Sequence, residues 1–496
     1  MSKRIFFVHA EKFMVPVAAA LRERGVDIVA LTTRGEGAPE AWAAALPGVP
    51  ALHSTEARSM LLPPSFTGRI SPKAARVADI DALAPTAARS LQMLDRMNQR
   101  GYSVAELNQT YLHLIGFWRA MLDELRPDGI VMSAGPPMFG FDHVLYQLAK
   151  ADGLATVMFR HTHVEGHLMI GGDIFDIAGP TPEEIEAAPP APPDPSQFAS
   201  PTNDQLHRQA MNLRTIRGKL SWPQIARGMV GRHMLSRIAP DPELLYDPTP
   251  RHVELRWLWT RGRIECRRAL KLYDSLVATP DLGKPFVYAP LAMEPEESTL
   301  PYGGPFSDTM LTIRTLSEAL PPGVHLYVKE HANQFNRKHL FAKGRNQHFY
   351  RRLAELGNVT LVPLETDSHE LIRRALTVAT ISGTSAWEAI QLGKPALVFG
   401  WPWYLHAPGI IHVDSAAAIR RAVTRIAAGE LGANVDHLGR YVRLMRERYL
   451  VRAIYATGML EFKQMTLEEH TTNYADAVAR QLGAAGQRAR PVLGLV

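Results

Sequence analysis

Short apolar runs rich in β-branched residues alternate along this chain with amphipathic stretches of helical period, and the alternation comes in two blocks. In the first, residues 4–8, 27–32, 129–132 and 155–160 read as strands, with helices over 15–24 and 141–151. Strands that alternate with helices must run parallel, because each helix carries the chain back to the same end of the sheet. This implies a parallel sheet with helices on both faces.

The second block begins near Lys284. Strands are expected at 285–290 (PFVYAP), 325–331 (HLYVKEH), 359–362 and 377–381, and helices over 309–320, 349–356, 369–375 and 386–392. Between the blocks, Pro180 to Pro201 places eight prolines in 22 residues, which suits a linker or surface loop. Gln205 to Pro240 has seven Lys or Arg and no acid, and reads as a basic helical insertion. At 496 residues the chain exceeds one core. We expect an α/β protein of two Rossmann-like halves: 1–180, then 181–282 as linker and insertion, then 283–496 ending in helices.

Composition narrows the setting. Cys266 is the sole cysteine, so the chain closes no internal disulfide, which fits a reducing, cytoplasmic compartment. No apolar run reaches the length of about 18 residues a spanning helix needs, and Glu11 and Lys12 interrupt the apolar N-terminus, which reads as a first strand rather than a signal peptide. The net charge of +6 suits an anionic partner: a nucleotide, an acidic glycan or an anionic membrane surface. Nucleic acid ranks below these, because neither zinc-finger spacing nor an aromatic-interleaved RNA motif is present. Arg440, Arg443, Arg446, Arg448 and Arg452 fall in a helical pattern over 438–455 and suggest a face that could rest on such a membrane.

In parallel sheets, ligands bind beyond the carboxyl ends of the strands. Ser382-Gly383-Thr384-Ser385 lies between the strand at 377–381 and its following helix. Helix N-termini carry about half a positive charge and free N–H groups, glycine admits a ligand close to the backbone, and hydroxyls add donors. The turn therefore reads as a phosphate cradle, with helix capping as the plain alternative. Glu388, one turn on, is placed to accept from a ribose diol. Lys329-Glu330-His331 ends another strand, where the imidazole and ammonium could meet a phosphate. Glu294, Ser298 and Thr299 sit in the long loop after the first strand of this block. In the first block, His161, His163, Glu165 and His167 follow a strand. Metal-ligand spacings are absent, so His163 and Glu165 read as acceptor-binding or general-base candidates. His9 and Glu11 follow the first strand.

The motifs VYAPLAMEPEESTLPYGGPFSD, HLYVKEHANQF and VATISGTSAWEAIQLGKPALVFGWPWY occur in this order. Together they resemble the bacterial capsule and surface polysaccharide biosynthesis proteins, a group that includes the Kdo transferases of capsule assembly. The match runs over about 284–412. The resemblance implies a GT-B glycosyltransferase, two lobes facing across a cleft, with the nucleotide-sugar on the C-terminal lobe and the acceptor on the N-terminal lobe. The family's His-Pro motif falls on His331, where Ala332 replaces the proline, and its Gly-Thr-x-x-Trp-Glu stretch is intact from Gly383 to Glu388. It implies a metal-independent enzyme whose nucleotide-sugar, a CMP-linked acidic sugar first, is substrate rather than cofactor. The acceptor would be a capsular polysaccharide or lipid-linked glycan, met in the cytoplasm or peripherally at the inner membrane. A UDP-sugar 2-epimerase and a non-catalytic glycan-binding or assembly protein on the same fold are the alternatives.

Overall fold

The computed structural model describes residues 2–62, 74–98, 101–191, 252–336, 345–346, 348–454 and 465–485. The basic stretch 205–240 lies outside the described residues. The protein is mixed α/β with two largely parallel sheets, and the chain divides into two compact units. One runs to Asp176 and resumes at Arg448; the other lies between Ile177 and Glu447.

The first unit is built on a seven-stranded sheet in the order β13-β6-β5-β4-β1-β2-β3. These strands are β1 (Lys3–Ala10), β2 (Val26–Thr33), β3 (Ala51–His53), β4 (Gly129–Met132), β5 (Ala155–His161), β6 (His167–Gly171) and β13 (Leu450–Arg452). β3 to β5 run parallel with β1 and β2, whereas β6 pairs antiparallel with β5, and β13 antiparallel with β6. β4 is buried at every position and β1 at its last six, as expected of central strands covered on both faces. The core includes Phe7, Trp42, Phe159, Tyr474 and Val478. The long helix Val104–Leu125 starts on a capping box: the Ser103 hydroxyl accepts the Glu106 N–H, and the Glu106 carboxylate accepts the Ser103 N–H.

The second unit holds a six-stranded, all-parallel sheet in the order β12-β11-β10-β7-β8-β9. Its strands are β7 (Phe286–Pro290), β8 (His325–Lys329), β9 (Val359–Leu361), β10 (Thr377–Thr380), β11 (Ala396–Val398) and β12 (Ile410–His412). The chain winds outward from β7 through β8 to β9, returns to β10 on the other side of β7, and continues outward to β12. The winding reverses between β7 and β10, which is where doubly wound sheets bind ligands.

The arginine-rich stretch at 438–455 is not one helix. It is helical over Val435–Leu444, passes through a π turn over Met445–Tyr449 and ends in β13. Arg440 and Arg443 donate to the carbonyls of Glu186 and Pro189, at 2.8 and 2.7 Å, and Arg452 pairs with Glu469 at 3.1 Å. Arg440, Arg443 and Arg452 are thus engaged within the protein. Among the described residues, no helix is long and apolar enough to cross a membrane.

Candidate functional site

Three chain segments leave the carboxyl edge of the second sheet side by side: the loop after β7, the turn after β8 and the turn after β10. β8 and β10 both border β7, so at one strand spacing per step their ends lie about 10 Å apart.

After β10, the chain turns at Ser382–Ser385 and enters the helix Thr384–Gln391. Gly383 is the N-cap, in an extended conformation, and no side chain caps the helix. Nearby helices differ: Asp308, Asp367, Ser415 and Asn434 each accept N–H groups at the starts of theirs. The hydroxyls of this turn do other things. Ser382 Oγ donates to the Ser298 carbonyl at 2.6 Å, tying the turn to the β7 loop across the switch point. Thr384 is exposed, and its hydroxyl donates to Glu388 at 3.3 Å; Ser385 is half-buried. A Cβ on Gly383 would stand 2.8 Å from Thr380 Oγ1, so glycine is needed where the chain folds over that hydroxyl. Behind the turn, Trp387 packs on Trp403 and Tyr404, and the Tyr404 hydroxyl donates to the Gly383 carbonyl.

After β8, three consecutive polar residues part ways. Lys329 is largely buried; its ammonium reaches the Thr366 carbonyl and the Ser368 hydroxyl, bracing the entry to the helix Ser368–Arg374. Burial lowers its pKa to about 8 against the opposing pull of Asp367 and Glu365. Glu330 is buried and accepts from Arg345, from the Tyr350 hydroxyl and from the N–H of His331. His331 is exposed. Its Nδ1 accepts the Asn333 N–H at 3.2 Å, which places the proton of the neutral ring on Nε2.

In the loop after β7, Glu294 is largely buried against Arg345 and accepts from the Thr309 hydroxyl. Burial raises its pKa, and Arg345 opposes that rise. Gln334 clasps the Glu294 backbone from both sides, its Oε1 accepting the N–H at 2.8 Å and its Nε2 donating to the carbonyl at 3.0 Å. Ser298 is half-buried; Thr299 is buried, with its hydroxyl turned to the Glu296 carbonyl.

In the first unit, His163 and Glu165 lie in the tight turn of the antiparallel β5–β6 hairpin, whose register opposes His161 to Leu168. Glu165 is exposed, and its carbonyl meets His167 Nδ1 at 2.6 Å. Burial, with the adjacent His161, lowers the pKa of His163 to about 4. At the end of β1, His9 is buried with φ of 63° and joins Asp142 at 2.9 Å and Ser54 at 3.3 Å. Among the described residues, no three His, Cys, Asp or Glu converge as a metal site.

Reading the sequence brought His331, Glu294 and the 382–385 turn to one sheet edge but missed the residues that lock them together: Arg345, Gln334 and Tyr404. Their partners are distant in sequence, with 51 residues separating Arg345 from Glu294, and no periodicity points to them.

No family model and no curated protein matches the chain. Solved structures do resemble it. A β-Kdo 2,7-transferase, KpsC of Thermosulfurimonas dismutans, is similar at 14% identity over 43% of this chain and 61% of its own, with a TM-score of 0.25. The chain thus spans about three fifths of that protein's length. The UDP-GlcNAc 2-epimerase of Methanocaldococcus jannaschii is similar at 14% identity over 90% and 100%, with a TM-score of 0.23. A glycosyltransferase of kitacinnamycin is similar at 13% identity over 97% and 99%, with a TM-score of 0.21. These similar structures are thus a Kdo transferase, a UDP-GlcNAc 2-epimerase and a glycosyltransferase.

Proposed function

We propose that the protein is a glycosyltransferase of GT-B type. It would take a sugar from a nucleotide-sugar, a CMP-linked acidic sugar first, and add it to a capsular or surface polysaccharide or its lipid-linked precursor. The observation that carries this reading is His331: an exposed imidazole whose tautomer is held as an Nε2–H donor, on the same sheet edge as a helix start that no side chain caps.

The chemistry follows from those groups. As the anomeric carbon–oxygen bond breaks, negative charge collects on the departing phosphate. His331 Nε2–H and the first amides of the helix Thr384–Gln391 donate to it. Glu388, linked to Thr384, accepts from the ribose hydroxyls. Ser298 and Ser382 shape the wall between them. Lys329 and Glu330 support this edge from behind, because their charged ends are committed to Ser368 and Arg345. For the acceptor hydroxyl, we assign Glu165 of the first unit as the base and His163, with its pKa near 4 and therefore neutral at pH 7, as the orienting group. The donor is consumed as substrate, and no metal enters these steps. The reading places the protein in the cytoplasm, where a membrane-borne acceptor would bring it to the inner leaflet.

Calorimetry with CMP and UDP, followed by NMR of incubations with CMP- and UDP-sugars plus a glycan acceptor, tests the reading. We expect one nucleotide to bind, and His331→Ala to lower turnover about 100-fold or more, as for loss of one preorganised donor. Wild-type turnover in His331→Ala would remove the imidazole from the mechanism. An epimer from UDP-GlcNAc without transfer, or binding without turnover, would replace the reading with one of the two alternatives.

A further inference from the structure

Arg345 has no exposed side-chain surface, yet its guanidinium spends its donors on two separate chain segments. Nε donates to Glu330 Oε2 at 2.7 Å, and Nη2 lies 3.4 Å from Glu330 Oε1. Nη1 donates to Glu294 Oε2 at 2.5 Å, and Nη2 to the Ala292 carbonyl at 3.0 Å. The Phe349 ring packs on its face, 4.4 Å from Cζ to the centroid. A planar fork of five donors can make all four of these contacts at once; an ammonium, with three donors on one atom, cannot.

The two branches lead to the two walls of the candidate site. Glu330 Oε1 accepts the His331 N–H at 2.7 Å, so the first branch sets the backbone that carries the imidazole. Ala292 and Glu294 begin the loop whose Ser298 carbonyl accepts from Ser382, so the second branch reaches the turn before the helix Thr384–Gln391. We infer that Arg345 is the positioning residue of this edge: one buried guanidinium fixes His331 relative to the loop and turn that face it. The inference rests on the glycosyltransferase reading only for what the edge binds; the positioning itself does not depend on it.

Replacing Arg345 leaves two buried carboxylates without their cation. They must take up protons or move apart, and either change weakens or displaces the acceptor of the His331 N–H. The test uses the full-length protein with 15N-labelled histidine, the His331 ring signals being assigned by their loss in His331→Gln. The wild type should show the wide separation of ring nitrogens that marks a fixed Nε2–H tautomer. In Arg345→Lys, which keeps the charge and loses the fork, we expect that separation to shrink toward the mean of the two nitrogens. Titration of CMP and UDP into the same samples should show the affinity of whichever nucleotide binds the wild type weakened at least tenfold. If Arg345→Lys does not fold, Glu330→Gln, which keeps the volume and one acceptor oxygen, carries the same measurement with the same expectation. Wild-type His331 signals in the folded variant would overturn the inference whatever the nucleotides do. A displaced His331 in a protein that binds neither nucleotide would uphold the positioning and count against the proposed function instead.

Discussion

Lys329 ends a buried strand, and its ammonium is held by the Thr366 carbonyl and the Ser368 hydroxyl. Its folded pKa of about 8 compares with 10.5 for the free side chain, and burial is the leading cause. Below pH 8 both folded and unfolded chains hold the proton, and folding bears the full cost of burying it. Between pH 8 and 10.5 the unfolded chain binds more protons than the folded one, so stability contributed by this group rises with pH. At 1.36 kcal/mol per pKa unit, a gap of roughly 2.5 units corresponds to a rise of about 3 kcal/mol across that window. Lys329→Met fills similar space, loses two hydrogen bonds worth about 1 kcal/mol each, and has no proton to exchange. Urea unfolding of wild type and Lys329→Met at half-unit intervals from pH 7 to 10 isolates the effect, because every other titrating group cancels in the difference. The wild type should gain on the variant with a slope approaching 1.4 kcal/mol per pH unit above pH 8. Parallel stability curves would refute the argument and place the ammonium in water rather than under the 366–368 turn.

The remaining expectations concern the same edge. Burial holds the Glu294 carboxyl above its usual range, so its contribution is present at low pH and fades as pH rises through the folded pKa. The difference in melting temperature between Glu294→Gln and wild type should therefore move in the variant's favour as pH rises from 4 to 7, by calorimetry across that range. A Cβ at Gly400 would stand 2.4 Å from the Tyr302 carbonyl oxygen and 3.0 Å from that of Ile381; backbone cannot swing aside as a side chain does, so Gly400→Ala should cost about 2 kcal/mol or more in urea unfolding.

What the sequence determined by itself is the local layer. Residues 129–132 and 141–151 were readable as a strand and a helix and form them with those bounds, because β-branched runs and a 3.6-residue apolar period are properties of neighbouring residues. The carboxyl-edge placement of His331 and of Ser382–Ser385 was legible for the same reason: each follows directly on its strand. Tertiary structure alone decided the rest. β6 and β13 are short and pair antiparallel at the sheet's edge, a choice made by the partner strand rather than by their own composition. That pairing folds the chain back at His163 and Glu165 and returns the segment after Arg448 to the first unit, although in sequence it follows the second. The turn before Thr384 could equally have been a capped helix start, since Ser382, Thr384 and Ser385 are all good caps; the hydroxyls of Ser382 and Thr384 turn instead to Ser298 and Glu388. Above all, Glu330 and Lys329 looked alike from sequence as polar residues at a strand end. Arg345, brought in from fifteen residues away, buries one of them, and the 366–368 turn claims the other. A side chain's role at this edge is set by which long-range partner satisfies its charge, and that partner is chosen only when the sheet assembles.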